Sequence, residues 1–258
     1  MERDSMQQAV IPENTDATRP GSKRVAFIAC QVLQNRLEDL LPADLRGEAV
    51  FMEYGWHRVP AKMTQELQKV IDSIREPSLV VLGYGLCGNG LDGIRAGKHT
   101  LLMPRVDDCI ALLLGSRHAY LRQFSAVPGT YYLSEGWLES GSHPLSEYEE
   151  YAERYGPEDA LWILDQQYQN YERLALVAPS QAGLEKNRPA AQEVARFCER
   201  WDMVYEEILG SDGYLRRLVG TSVALREDGS DATKRITGDF LIVPPGGQIR
   251  QRAFVEGT

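Results

Sequence analysis

Four side chains that bind soft metal ions follow four candidate strands in the first half of the chain. Cys30 ends the apolar run VAFIAC, and His57 ends AVFMEYGWH. Cys87 follows LVVLGYGL, and Cys109 follows HTLLMPRVDD. Successive members are about one strand–helix unit apart, and parallel strands present their carboxyl ends at one edge of a sheet. The spacing therefore predicts a metal site built from loops that are distant in sequence.

The residue types of these four candidate ligands are compatible with more than one metal. No CxxC pair is present, so the prediction depends on position and not on local spacing. Thiolates of Cys30, Cys87 and Cys109 would hold a [4Fe-4S] cluster with one iron free for substrate. With His57 as the fourth ligand, the same thiolates would instead make a closed zinc site. The competing interpretation is that these cysteines are small core residues, as expected for Cys198 in its helical pattern.

Polar residues near these cysteines are candidates for catalysis. Arg105 would bind a substrate carboxylate through two parallel hydrogen bonds, or would pair with Asp107 or Asp108. Asp108 is a candidate general base or a helix N-cap. His57 is either a metal ligand or an acid–base group. Cys30 and Cys109 precede candidate helices, whose dipoles would lower the pKa of a thiol.

The glycine-rich segment GYGLCG, residues 83–88, allows two interpretations. Its open amide groups around Cys87 suit an anion or a cluster, and Tyr84, Asn89 and, farther along, Trp137 are candidate substrate contacts. It also matches the GxGxxG fingerprint of nucleotide-binding oxidoreductases. The following LDGIRAG is too short and too rich in glycine for the helix that should bind a pyrophosphate, which disfavours this alternative.

Alternating strand and helix patterns predict an α/β fold with a mostly parallel sheet and helices on both faces, similar to a Rossmann fold. Strands are predicted over residues 25–29, 49–54, 79–82, 99–106, 130–137, 173–178, 203–209 and 240–243. Helices are predicted over residues 31–41, 60–74, 109–124, 190–201 and 214–219, with 221–239 as a loop or weak hairpin.

Composition indicates the domain organisation. Residues 1–22 are polar and predict a disordered tail, and residues 23–258 predict a single α/β domain. Residues 144–171 are charged and aromatic, and predict a helical insertion that serves as a lid or an interface. No run of apolar residues would span a membrane or form a signal peptide, which favours a cytoplasmic protein. The net charge of -9, without a basic stripe, disfavours binding to nucleic acid.

Several segments of the chain resemble the family catalogued as domain of unknown function 1638. The matching segments are IACQVLQNRLEDL, LGYGLCGNGLDGIRAG, MPRVDDCIALLLGSRHAY, PGTYYLSEGW, FLIVPPGG and the pair His57 and Pro60, within Val25 to Gly247. The resemblance implies that Cys30, His57, Cys87 and Cys109 are motif positions. It also implies an association with corrinoid-dependent methyl transfer, in which a zinc thiolate site would activate a thiol as methyl acceptor.

The sequence thus predicts a cytoplasmic metalloenzyme that acts on a small anionic substrate. A [4Fe-4S] cluster on three cysteines is the leading prediction, similar in concept to quinolinate synthase and to cluster-dependent desulfidases. The alternatives are a zinc thiolate protein, or an accessory subunit of a corrinoid methyltransferase system that docks through residues 144–171.

Overall fold

The computed structural model describes residues 24–54, 56, 59–228 and 238–255. The predicted tail over residues 1–22 and the candidate ligand His57 lie outside these described residues. The described chain is rich in helix and contains two sheets dominated by parallel pairs, which confirms the predicted α/β class.

Secondary structure alternates along the chain. The strands are β1 Arg24–Cys30, β2 Val50–Met52, β3 Ser78–Gly83, β4 Thr100–Pro104, β5 Thr130–Leu133, β6 Arg173–Ala178, β7 Val204–Leu209 and β8 Phe240–Val243. The α-helices are α1 Gln34–Leu40, α2 Ala43–Arg46, α3 Pro60–Ser73, α4 Ile110–Leu113, α5 Arg117–Ala126, α6 Glu135–Glu139, α7 Pro144–Tyr155, α8 Pro157–Tyr168, α9 Gln181–Cys198, α10 Gly213–Asp228 and α11 Arg252–Val255.

The chain divides into two compact units, one comprising Met1–Asp108 with Arg217–Thr258 and the other Cys109–Arg216. The first unit contains a five-stranded sheet of order β2-β1-β3-β4-β8, in which β8 is antiparallel to β4. The second contains a three-stranded parallel sheet of order β5-β6-β7. The strands are therefore divided between two sheets, whereas the sequence predicted a single sheet. The single-domain assignment stays a prediction, because compact units need not fold separately.

The first unit is built on a buried parallel sheet. Every residue of β3 is buried, as expected for an interior strand covered on both faces. Ala26 and Ile28 of β1 alternate onto the face that packs against α3, where they join one core cluster with Met63 and Leu67. Pro60 opens α3 in its first turn, a position where the missing N–H costs no hydrogen bond.

The connection from β3 to β4 contains no helix. Residues 84–99, all of them described, form turns and one isolated bridge. A carboxyl-terminal strap pairs with this connection: the Gly93 N–H donates to the Ile249 carbonyl over 3.1 Å, and the Ala96 N–H to the Gly247 carbonyl over 2.9 Å. Residues 84–99 thus do not form the helix that usually follows a GxGxxG fingerprint, and the nucleotide-binding alternative stays a prediction.

The second unit contains the segment predicted as an insertion. It forms two helices, α7 and α8, separated at Gly156, whose φ of 88° suits only glycine without strain. The inner faces of both helices are buried, and the Tyr168 hydroxyl donates to the buried Glu147 carboxylate over 2.5 Å. These helices therefore contribute to the core of this unit, and their role as a lid or interface stays a prediction.

Three helix boundaries differ from the sequence prediction. The helix predicted over residues 109–124 breaks at Gly115, which has a φ of 88°, and α5 restarts at Ser116, whose side chain caps it. Helix α9 begins nine residues before the predicted start, and Pro189 lies inside it. Helix α10 continues to Asp228, through residues predicted as a loop, because Leu218, Ser222 and Leu225 at helical spacing keep one face of it buried.

Candidate functional site at the edge of the five-stranded sheet

The candidate site lies where the parallel strands of the first unit end. Strands β2, β1, β3 and β4 are consecutive neighbours and run in the same direction, so their carboxyl ends share one edge. Cys30 is the last residue of β1, and Cys87 lies in the loop that leaves β3. Asp107 and Asp108 follow β4. Ligands of open parallel sheets bind at this edge.

Cys30 is a largely buried thiol. Burial raises its pKa to about 11, and a hydrogen bond from the Val32 N–H lowers it by less. The expectation that a helix dipole would activate this thiol is therefore wrong. One turn of 3-10 helix over Gln31–Leu33 follows Cys30, and desolvation outweighs the small field of so short an element. At neutral pH the metal-free side chain is a protonated thiol.

Cys87 has an unusual backbone conformation. Its φ is +47°, and the next two residues, Gly88 and Asn89, also have positive φ values of 61° and 72°. The turn is closed by a 3.1 Å hydrogen bond from the Gly90 N–H to the Cys87 carbonyl. The left-handed region is unfavourable for a residue with a Cβ, and such residues are concentrated at functional sites. The loop thus holds a cysteine at a position better suited to glycine.

The loop is fixed on one side by the exit of β4. The Cys87 N–H donates to the Asp107 carbonyl over 2.8 Å, and the Leu86 N–H donates to the Val106 carbonyl over 2.9 Å. A Cβ on Gly85 would lie 2.6 Å from the backbone of Asp108, closer than a side chain permits. Gly85 is therefore required for the two exits to approach each other.

Helix α3 fixes the same loop on the other side. The Thr64 hydroxyl donates to the Gly90 carbonyl over 2.8 Å. A Cβ on Gly90 would lie 2.6 Å from the sulfur of Met63. Thr64 was not among the predicted site residues, although it is a polar residue one turn into the predicted helix over residues 60–74.

Trp56, the residue before His57, is also part of this edge. Trp56, Cys30 and Cys87 are each partly buried against the core cluster that contains α3. The Lys62 ammonium lies 4.6 Å from the centre of the Trp56 ring, a cation–π contact. The indole N–H is buried and has no hydrogen-bond partner among the described residues. The exit of β2, which leads to His57, thus packs on the same cluster as two of the candidate cysteines.

The remaining candidates at the exit of β4 are less defined. Arg105 is half-buried, and its backbone N–H donates to the Asp239 carbonyl over 2.8 Å. Its guanidinium forms no salt bridge with another described residue. Cys109 is buried and is the first residue of the second unit. It occupies the N-cap position of the four-residue α4, so Asp108, one residue earlier, is not the N-cap residue.

The three candidate substrate contacts belong to different elements of the chain. Tyr84 is buried in the core cluster of the first unit, and Asn89 is exposed at the tip of the Cys87 loop. Trp137 is half-buried in α6 of the second unit. Tyr84 packs within this cluster, and the role of each of the three residues as a substrate contact stays a prediction.

The described candidate ligands are not grouped as a metal site. Among the described residues, which exclude His57, no three His, Cys, Asp or Glu side chains are grouped closely enough to hold a metal ion. Cys30 and Cys87 contact one apolar cluster, yet the three cysteines do not form a ligand set in this arrangement.

The comparisons with known proteins identify a family. Within the described part of the chain, every helix is too short or too polar for a membrane span. Neither the comparison with curated proteins nor that with solved structures gives a match. The family model described as "Protein of unknown function (DUF1638)" matches residues 51–219, a segment that contains His57, Cys87 and Cys109. The chain belongs to this family.

Proposed function

We propose that the protein is a metal-dependent enzyme whose site lies at the carboxyl edge of the five-stranded sheet, with cysteine thiolates as ligands. The observation that carries the proposal is the conformation of Cys87. A non-glycine residue with a φ of +47° costs stability, and the surrounding loop bonds to the exit of β4 in a way that maintains it. A residue with only a packing role would gain nothing from this position.

The chemistry of Cys30 favours metal binding over direct nucleophilic attack. With a pKa raised to about 11, this side chain is almost entirely protonated at neutral pH and is a poor free nucleophile. A soft cation displaces the proton and makes the thiolate a ligand, which offsets the cost of burying its charge. A partly buried thiol at a strand end is therefore better suited to holding a metal than to attacking a substrate.

The proposed cofactor is a [4Fe-4S] cluster on Cys30, Cys87 and Cys109, which would leave one iron for a small anionic substrate. Because the described cysteines do not form a ligand set, binding requires a rearrangement of the exit loops.

Other side chains would serve the substrate. Arg105, half-buried and without a salt bridge to another described residue, is suited to binding an anion. Asp108, at the same exit, and His57 would transfer protons. Asn89, exposed beside Cys87, is suited to hydrogen bonding with the substrate.

A zinc site is the second candidate, and the packing of Trp56 favours it. Trp56 contacts the same cluster as Cys30 and Cys87. His57 is the next residue in the sequence, and we propose it as the fourth ligand. Zinc bound to thiolates would suit methyl transfer to a thiol, the chemistry of corrinoid-linked systems.

Metal and sulfide analysis of the full chain, purified without oxygen, separates the two candidates. Bound iron with an equal amount of acid-labile sulfide and broad visible absorbance is expected for the cluster. One zinc per chain in a colourless protein indicates the second candidate instead. Absence of any transition metal from a protein that has never met oxygen or chelator would contradict the proposed function.

A further inference from the structure

The core of the second unit contains a chain of contacting aromatic rings. Tyr168 of α8 is at its centre, with 5.2 Å between the centres of its ring and that of Trp201 and 5.6 Å to that of Tyr131. Tyr168 is buried, whereas Trp201, which follows α9, is partly exposed. Ring contacts thus connect a partly exposed indole with a buried phenol.

Tyr168 and Trp201 each donate their polar hydrogen to a carboxylate. The Tyr168 hydroxyl donates to Oε2 of Glu147 over 2.5 Å, and the Trp201 indole N–H donates to Oδ1 of Asp165 over 2.8 Å. Glu147 is buried, and the side chain of Asp165 is 43% exposed. Two oxidisable rings are therefore in contact, and each has a hydrogen-bond acceptor of negative charge.

Stability alone does not account for the polar pair of Glu147 and Tyr168. A buried carboxylate costs free energy unless its hydrogen bonds offset the loss of water. Replacing both partners of a buried hydrogen bond by apolar groups of the same shape is often nearly neutral. An apolar side chain at position 147 with phenylalanine at position 168 would therefore fill the same core at little cost.

The hydrogen bond between Tyr168 and Glu147 is suited to one-electron oxidation. Burial raises the pKa of the Tyr168 phenol far above its ordinary value of about 10, so the hydroxyl keeps its proton at physiological pH. A phenol that has lost an electron is a strong acid, and a tyrosine that cannot release its proton is therefore hard to oxidise. Glu147 can accept that proton inside the core, where water does not reach Tyr168.

We propose that Tyr168 and Trp201 form a one-electron relay, in which an oxidised Trp201 takes an electron from Tyr168 and the phenol proton passes to Glu147. The oxidant belongs to the diffusible one-electron oxidants that arise from peroxide and iron, and it removes one electron from the Trp201 ring. Transfer then gives neutral Trp201, a neutral Tyr168 radical and protonated Glu147, so charge is conserved.

A thiolate in solution completes the cycle. It supplies one electron and becomes a thiyl radical, while Glu147 returns the proton to the Tyr168 oxygen. All residues of the relay belong to the second unit, and the relay uses none of the cysteines, so it is independent of the proposed metal site.

The charges around the two rings favour transfer toward Tyr168. The Arg200 guanidinium lies 5.3 Å from the centre of the Trp201 ring and pairs with Asp165, so it offsets the support that this carboxylate gives to a positive indole. The Tyr168 radical has no net charge, because its proton has moved to Glu147, and a neutral species is favoured in a buried site.

Pulse radiolysis of the full chain with azide radicals, which remove one electron from accessible indoles, tests the relay. Trp162→Phe serves as the background, since Trp162 is 66% exposed and would compete. Absorbance of a tryptophan radical should decay as that of a tyrosine radical grows, in a fast phase whose rate is independent of protein concentration. Tyr168→Phe and Trp201→Phe should each abolish this phase. Tyr205→Phe is the matched control and should retain it: its hydroxyl also bonds a carboxylate, Glu207, over 3.1 Å, but its ring is not part of the aromatic chain.

Glu147→Gln separates proton transfer from packing. Glutamine keeps the shape and a hydrogen-bond acceptor but cannot take the proton, so the phase should slow and should lose the deuterium isotope effect expected of the native chain. Circular dichroism verifies that each variant is folded, and Trp201→Phe leaves the Tyr168–Glu147 bond intact should position 147 not tolerate glutamine. A native chain without the phase overturns the proposal. A phase that persists in Tyr168→Phe, or that keeps its native rate in Glu147→Gln, overturns it as well.

Discussion

Cys87 occupies a left-handed conformation, and its replacement by glycine or alanine tests whether this position stores strain for function. A left-handed conformation costs a residue with a Cβ roughly 1–2 kcal/mol, whereas glycine adopts it freely. Glycine in turn loses roughly 0.5–1 kcal/mol more backbone entropy on folding. Because Cys87 has a φ of +47°, the conformational strain that glycine removes exceeds the backbone entropy that glycine loses, so glycine is favoured over alanine there. We expect Cys87→Gly to exceed Cys87→Ala in free energy of unfolding by about 0.5–1 kcal/mol.

Thermal or urea unfolding of the metal-free protein measures this difference. For a chain of this size it corresponds to about 1–4 °C in Tm. Cys198 supplies the control, because it is fully buried at the end of α9 with helical backbone angles. There the order reverses, and Cys198→Gly is expected to be less stable than Cys198→Ala by about 1 kcal/mol. If alanine is the more stable replacement at position 87 too, the inference of strain is refuted.

Three further predictions follow from the contacts around the site and from α7. Gly85→Ala should lower the free energy of unfolding by about 2–3 kcal/mol, because the added Cβ would lie 2.6 Å from the Asp108 backbone. Urea titration measures this loss. Gly47→Ala is the control and should have little effect, because Gly47 has open space around it. In the metal-free protein, alkylation of Cys30 followed by mass spectrometry should speed up about tenfold per pH unit until the pH nears 11, since burial raises the pKa of this thiol; a plateau near pH 9 would contradict this. His143 accepts the Ser146 N–H at Nδ1 and so caps α7 as a neutral ring, and burial lowers its pKa. The neutral His143 cap therefore stabilises the fold above the unfolded pKa of about 6.5, and this stabilisation is lost as the pH falls below that value. His143→Asn keeps a capping side chain and should remove this part of the pH dependence of the free energy of unfolding.

The sequence predicted the local elements of the fold better than their assembly. The bounds of β6 and β8 match the predicted strands, since continuous apolar runs between turn residues leave few alternatives. The predicted helix over residues 190–201 began too late. Buried residues on both sides of Pro189, Leu184 and Val194, hold α9 together. The division into two sheets depends on which strands pair, and strand pairing is not encoded in the period of a single strand.

The candidate site was predictable in its position but not in its detail. Strand ends at Cys30 and near Cys87 could be located because each follows a β-branched or apolar run. The positive φ of Cys87 could not be read from the sequence, where the neighbouring glycines suggested freedom for the backbone and not strain at the cysteine. The effect of burial on Cys30 was likewise hidden, because desolvation depends on residues distant in sequence.

Metal content of single-cysteine variants tests the central claim most directly. Wild-type protein and the variants Cys30→Ser, Cys87→Ser, Cys109→Ser and Cys198→Ser would be purified without oxygen and analysed for iron, sulfide and zinc per chain. We predict that the first three substitutions each remove most of the bound metal and that Cys198→Ser, in the buried end of α9, retains it. Metal retained by all of the variants, or lost equally from the Cys198 variant, would contradict a thiolate centre at the edge of the five-stranded sheet.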